Sequence, residues 1–402
     1  MSSSPNNSFI NELKNADTEQ LFELLSPHGE LRFIGGCVRD AVLNIAFNDI
    51  DLATSLLPDQ VIKLLESANI KVVPTGLAHG TVTAIFDQTQ YQITTLRKDV
   101  ACDGRHAEVL FTDDWQEDAA RRDFTINALS ANLNGEFFDY FSGLTDLKAK
   151  KVRFIGNAAD RICEDYLRIL RFYRFAGKYG EANFDPETCQ LCTKYSSSID
   201  HNSSERIYDE LEKMALHLSF NEVFKKLDHD KILAIIFPEV SINHALLESL
   251  KLVSQRLNYQ PNFATILAAA QYGSSHSNIS LLKKKNDHKL FTALTNFDYG
   301  EYHDIEHKIK RFHYITGEKF KNFFIILFAL HYKIVYHQLM EDLFFIYTKK
   351  ERNIFPVDGK DLLEMGYKDG LEIGHTLARL ESLWIESDFY LGKLELLKQI
   401  EK

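Results

Sequence analysis

The sequence predicts an α/β head followed by an all-α remainder. Short β-branched or alternating segments, punctuated by Gly and Pro, fill the first 150 residues. From about residue 158 onward apolar residues recur at spacings of three and four almost to the C-terminus, and the change falls just after Lys151-Val152-Arg153-Phe154. In the head, strands are predicted over 31–34, 49–53, 71–73, 81–86, 91–96 and 109–112, enough for a small mixed sheet. The helical part has breaks near Gly156, over 195–204, over 271–280 and over 353–359, where polar residues, Gly and Pro cluster. No internal repeat of about 20–50 residues is visible.

Composition narrows the class. The chain has 402 residues, 45% apolar and 26% charged, with 19 Gly and 8 Pro, which excludes collagen-like, low-complexity and disordered proteins. The longest apolar run, 323–330, falls short of the roughly 20 residues that span a bilayer. The N-terminus, MSSSPNNSFINELKN, lacks the basic and apolar regions of a secretory signal. A protein of the cytoplasm or of an organelle matrix, with cytoplasmic as the default and with no membrane association, is therefore expected, and nothing in the chain points to a protein partner. Five cysteines over this length make no disulfide framework. Cys189 and Cys192 form a lone CxxC without the further ligands a zinc ion needs, so they are read as helix-face thiols. The net charge of −11 argues against nonspecific binding of nucleic acid over the whole surface and leaves room for a local basic groove.

Four stretches suggest chemistry. Gly35-Gly36 follows the apolar strand LRFI and opens a helix-like segment, CVRDAVLN, so that backbone amides can approach a phosphate closely; a turn needing Gly for steric reasons alone looks the same. Asp49 and Asp51 stand at i, i+2 in NDIDLAT, which on a strand points both carboxylates to one face. Paired carboxylates repel unless a cation neutralises them, and Mg²⁺ suits oxygen ligands. Two such ions about 4 Å apart activate an attacking hydroxyl and stabilise an oxyanion leaving group. Arg121-Arg122-Asp123 precedes FTINAL; adjacent helical arginines point about 100° apart, so one is expected to face a site and the other a salt bridge. In Glu164-Asp165-Tyr-Leu-Arg168-Ile-Leu-Arg171-Phe-Tyr-Arg174, a straight helix brings Asp165 and Arg168 together and turns Arg174 nearly to the opposite side. Asp165 and Arg168 can offer one acceptor and one donor group to the edge of a base, or form an ordinary i, i+3 ion pair.

Taken in order, GGCVRD (35–40), DID (49–51), RRDFTINAL (121–129), EDYLRILRFYRF (164–175) and SSERIYDEL (203–211) resemble the motifs of class II tRNA nucleotidyltransferases, the CCA-adding enzymes that share a catalytic domain with bacterial poly(A) polymerases. The C-terminal stretch from Phe355 to Phe389 also resembles the tail of bacterial and mitochondrial members. The resemblance implies a polymerase-beta-like nucleotidyltransferase head over 1–155, a helical neck with a base-selecting helix over 156–217, a helical body over 218–340 and a tRNA-binding tail over 341–402. It further implies addition of CCA to tRNA 3′ ends from CTP and ATP, with Mg²⁺ as cofactor and pyrophosphate released. By position, Asp49 and Asp51 would hold Mg²⁺ and be catalytic; Gly36, Arg39, Arg122, Asp123, Asp165, Arg168, Arg171 and Arg174 would bind the nucleotide. Gly35, Asp40, Glu164, Glu205 and Arg206 would support them. One position departs from many relatives: Gln92 stands in YQITTLR where they carry a carboxylate.

For tRNA, the basic clusters Lys283, Lys284 and Lys285, and Lys308, Lys310 and Arg311, are candidate phosphate contacts. The polar segment 98–107 is expected to be a flexible loop between strands, which the resemblance connects with the switch from C to A. His229-Asp230 lacks partners for a metal centre and is read as a surface pair. The rivals are a poly(A) polymerase, a partial enzyme adding only CC or only A, and an idle RNA-binding relative; intact Asp49, Asp51 and arginines argue against the last.

Overall fold

The computed structural model describes residues 9–400 apart from 88, 103–106, 218, 277–281, 283, 298, 300–304 and 369. The chain divides into two compact units, Met1–Pro238 and Glu239–Lys402.

The first unit is built on a sheet of β1 (Leu31–Ile34), β2 (Ile50–Thr54), β3 (Lys71–Gly76), β4 (Thr81–Phe86) and β5 (Thr89–Thr95), with β6 (Arg97–Cys102) and β7 (Ala107–Phe111) forming a separate ribbon and β8 (Ser130–Ala131) and β9 (Phe137–Phe138) closing one side. The sheet order is β3-β4-β5-β2-β1-β8-β9, antiparallel except where β2 runs parallel to β5. Alternation sets its two faces. Phe33, Leu52 and Ile93 are fully buried on one face, where Phe22 of the helix Ala16–Leu25 packs on Phe33 at 4.9 Å between ring centroids. Burying each such side chain stabilises the unit by about 1.5–3 kcal/mol. The opposite face carries Asp51 paired in register with Gln92, so these side chains lie next to each other.

The helical part of this unit begins with Ala158–Glu164 and Leu167–Tyr179, followed by Pro186–Tyr195, Ser204–Ala215, Phe220–His229 and Ile232–Ile236. Leu167–Tyr179 is buried on most of its circumference, through Ile169, Leu170, Phe172, Tyr173 and Ala176. A Cβ on Gly177 would sit 2.3 Å from Val223 Cγ2, so only glycine lets the helix Phe220–His229 come this close.

Two sequence expectations are corrected here. Within the segment 98–107 expected as a loop, 98–102 and 107 are strand: Lys98 pairs with Leu110 and Cys102 with Ala107 in an antiparallel ribbon, while 103–106 lie outside the described residues. His229-Asp230 is only half a surface pair. His229 is exposed, but Asp230 is buried, accepting from the Tyr173 hydroxyl and from Lys226 Nζ at 2.7 Å. Cys189 and Cys192 are free buried thiols on Pro186–Tyr195, as read from the sequence.

The second unit is helical throughout its described residues, with the nearly all-apolar Phe320–Leu330 at its centre. Tyr314, Val357, Leu362, Leu380, Trp384 and Leu396 form a further core towards the C-terminus.

Candidate active site

Within the first unit a cavity of about 460 Å³ opens between the polar face of the sheet and the start of the helix Leu167–Tyr179. Gly35, Gly36, Arg39, Asp51 and Asn127 line it from the sheet side, with Arg122 and Asp123 beside them; Asp165, Leu167, Arg168, Arg171, Phe175 and Arg206 line it from the helices.

Gly35 makes the turn after β1 at φ +72°, and a Cβ there would meet Arg122 Nη1 at 3.1 Å. The turn therefore requires glycine both for its backbone and for the arginine it lies against. Arg39 stands one helical turn on, in the helix Gly36–Val42. It is held by Asp40 at 2.8 Å and by Asn127, and its guanidinium lies 4.0 Å from the ring centre of Tyr179. Asp40 in turn accepts from the Tyr179 hydroxyl at 2.8 Å.

Asp51 lies within β2 and faces the cavity. Burial pushes its carboxyl above the usual carboxylate range; Arg122 offsets part of this and the charge of Asp49 adds to it. Asp49 precedes β2 and is exposed, not within the strand as the sequence suggested, and it is not among the cavity's lining residues. Among the described residues no group of three or more His, Cys, Asp or Glu gathers to hold a metal. On this face Asp51 has the amide of Gln92 alongside and the exposed Asp49 two residues before it, and among the described residues no ion pair to Asp51 is formed. A hard divalent cation that takes its other ligands from water and phosphate fits such a set.

Arg121 and Arg122 follow the short helix Trp115–Ala120, whose Asp118 takes both: Arg121 at 2.8 Å and Arg122 at 3.1 Å. Only Arg122 lines the cavity, so one arginine faces the site as expected, although both are paired. Asp118 is buried, which alone would raise its pKa, but Arg122 and Arg121 hold its carboxyl below the usual range. Asp123 is likewise held low against burial by Arg171, whose Nε is 2.7 Å away, and by Asn127.

The helical-wheel expectation for Asp165 is corrected. The chain leaves helical geometry there (φ −154°), between Ala158–Glu164 and Leu167–Tyr179, because the Asp165 carboxylate caps the second helix by accepting from the Leu167 amide at 3.1 Å. Its other oxygen is taken by Arg206 at 2.7 Å, from the helix Ser204–Ala215. Arg168 donates to Glu164 at 2.6 Å. Both candidate base-edge groups therefore line the cavity with two partners already in place, since Arg168 also donates to the Arg161 carbonyl. Arg174 is not among the lining residues: it packs over Phe175 and donates to Glu210 at 2.6 Å. Glu205 is on the exposed side of Ser204–Ala215.

Sequence reasoning missed Asn127, Asp118, Glu210 and Phe175. The i, i+3 and i, i+4 spacing of Asp118 before Arg121-Arg122 was a usable signal. Asn127 and Glu210 stood inside motifs but could be recognised only through partners distant in the chain. Of the basic clusters, Lys283 lies outside the described residues, Lys284 and Lys285 stand at the start of Lys285–Thr295, Lys308 and Arg311 lie on Ile305–Thr316, and Lys310 on that helix is tied to Asp388 at 2.7 Å.

Residues 31–153 match the poly A polymerase head domain, and 183–243 match a segment described as a probable RNA and SrmB-binding site of polymerase A. The human mitochondrial CCA tRNA nucleotidyltransferase 1 is 35% identical over 386 residues, spanning 93% of this chain and 87% of that protein. The CCA-adding enzyme of Staphylococcus saprophyticus is 30% identical over 415 residues, 96% of this chain and 99% of that one. The chain belongs to the CCA tRNA nucleotidyltransferase family. In fold it is similar to the Bacillus stearothermophilus CCA-adding enzyme in complex with CTP (TM-score 0.69, 22% identity, 96% of this chain and 94% of that one). The Thermotoga maritima CCA-adding enzyme complexed with tRNA is similar too (TM-score 0.67, 19% identity, 98% of each chain). This nucleotidyltransferase family generally works with a divalent metal ion. No described helix of this family member is long and apolar enough to cross a membrane.

Proposed function

We propose that this chain adds CCA to tRNA 3′ ends from CTP and ATP. The 3′-hydroxyl of the tRNA attacks the α-phosphate, a new phosphodiester P–O bond forms, the bond between the α- and β-phosphates breaks, and pyrophosphate leaves carrying the electron pair. The observation that supports this most is the polarity of the cavity: Asp51 at one wall, Arg39 and Arg122 beside it, and Asp165 with Arg168 and Arg206 at the far wall. Such a site takes a polyanion at one end and a hydrogen-bonding base at the other.

Asp51 with Asp49 would hold Mg²⁺, which when bound makes the hydroxyl a better nucleophile and stabilises the departing pyrophosphate. Arg122, fixed by Asp118, and Arg39, fixed by Asn127, bind the triphosphate. Asp123, oriented by Arg171 and Asn127, accepts from the ribose hydroxyls. Asp165 and Arg168 select the base; Arg206 aims the Asp165 carboxylate, and Glu164 aims Arg168. Arg174 braces Glu210, which also takes Arg171 at 3.5 Å. Lys284, Lys285, Lys308 and Arg311 bind tRNA phosphates. Among the described residues Cys37, Cys163, Cys189 and Cys192 are free thiols, which suits a reducing compartment, and we place the enzyme in the cytoplasm.

The test is turnover with tRNAs ending at the discriminator base, at C and at CC, with CTP and ATP supplied separately. C addition to the first two and A addition only to the third supports the reading. The poly A polymerase description of the head domain favours a second reading, in which A residues are added repeatedly; ATP-dependent tails on any of the three substrates would select it.

A further inference from the structure

We infer that Arg161 is a positioning residue that registers the phosphate end of the cavity against its base end. The inference rests on the reading above, in which Arg122 serves the triphosphate and Asp165 with Arg168 serves the base. Arg161 stands on Ala158–Glu164, outside the cavity lining, with its side chain 13% exposed. Its Nη2 donates to two successive carbonyl oxygens, those of Arg121 and of Arg122, the latter at 2.7 Å. Its Nη1 donates to the Glu164 carboxylate, the same oxygen that accepts from Arg168 at 2.6 Å. Arg168 also donates to the Arg161 carbonyl at 2.8 Å. One guanidinium thus grips the backbone that carries Arg122 and shares the carboxylate that aims Arg168.

Two further facts speak against simple packing. The Nε of Arg161 is buried with no hydrogen-bond partner, which carries a desolvation penalty. Burial also works against its ionised state and the charge of Arg168 adds to this, with Glu164 offsetting part. An apolar side chain would fill the space without either cost. What only a guanidinium supplies is a planar fork that reaches two carbonyls and a carboxylate at once, and lysine, with a single nitrogen, cannot reproduce that.

The experiment compares Arg161→Met and Arg161→Lys with wild type and with Asp165→Ala, measuring kcat/KM for CTP and for UTP on tRNA ending at the discriminator base, with the thermal midpoint of each protein. Loosening the register moves Arg168 relative to the triphosphate, so Arg161→Met is expected to lower the CTP over UTP preference about tenfold. Arg161→Lys is expected to lose nearly as much although it keeps the charge. Should the Met variant not fold, the Lys variant decides. A uniform fall for both nucleotides with the preference within about twofold of wild type, while Asp165→Ala relaxes it, overturns the role of Arg161 and leaves the base-reading assignment standing. If Asp165→Ala also leaves the preference intact, the assignment itself fails and the inference with it.

Discussion

Asp51 brings a charge to a half-buried strand face where burial disfavours it and Asp49 repels it. Replacing it with Asn removes that cost, so Asp51→Asn is expected to abolish nucleotide addition while raising the thermal midpoint measured in EDTA. Wild type should gain midpoint on addition of Mg²⁺ and the variant should not; a midpoint that drops in EDTA, or an unchanged Mg²⁺ response, contradicts the assignment of Asp51. Asp118 is the opposite case, a buried carboxylate satisfied by two arginines and by the Arg97 amide at 3.3 Å. Asp118→Asn keeps the shape but loses the charge that holds Arg122, and is expected to cost about 1.5–3 kcal/mol in denaturant unfolding. It should also raise the KM for CTP and ATP alike, and a variant with normal KM would show that Arg122 is oriented by something else.

The helix Leu167–Tyr179 owes its position to Gly177, and Gly177→Ala is expected to force it off Phe220–His229 at a cost of about 1–3 kcal/mol, read from urea unfolding. An unchanged midpoint would mean that the contact with Val223 gives way freely. The start of the same helix shows where the sequence was opaque. Helical spacing runs on through Ile162, Tyr166 and Leu170, so periodicity reads one continuous helix, and the break at Asp165 comes from a side-chain cap plus Arg206, a residue 41 positions away. By contrast β1, β4 and the Gly35-Gly36 turn were legible because their signals are local: strand alternation, and a glycine forced by φ +72°. In the ribbon β6–β7 the strand signal at 109–112 is legible, whereas 98–107 reads as a loop because it is polar and the ribbon pairs only with itself, outside the seven-stranded sheet. Removing residues 99–106 is expected to leave CC addition and abolish A addition on gels of labelled tRNA, and A addition by the shortened protein would take this segment out of the nucleotide switch.

At the scale of the molecule, the first unit is held together in part by buried carboxylates whose pKa values are depressed: Asp118 and Asp123 by arginines, Asp230 by Lys226 and Tyr173. Burial alone would raise all three, so their partners decide the sign. A depressed folded pKa means the folded state binds the proton less readily than the unfolded chain. The stabilisation is therefore complete above the unfolded value of about 4 and is lost as pH falls through the folded values. The thermal midpoint of the first unit should hold between about pH 7 and 5 and fall steeply below about 4, whereas a midpoint that rises on acidification contradicts the pairing. The reaction assigned to the cavity is tested most directly by the product made from a tRNA ending at its discriminator base when CTP and ATP are both present. The geometry predicts extension by C, C and A and then arrest, with no extension by ATP alone. Extension by ATP alone, or growth of an A tail past the first A, would contradict it.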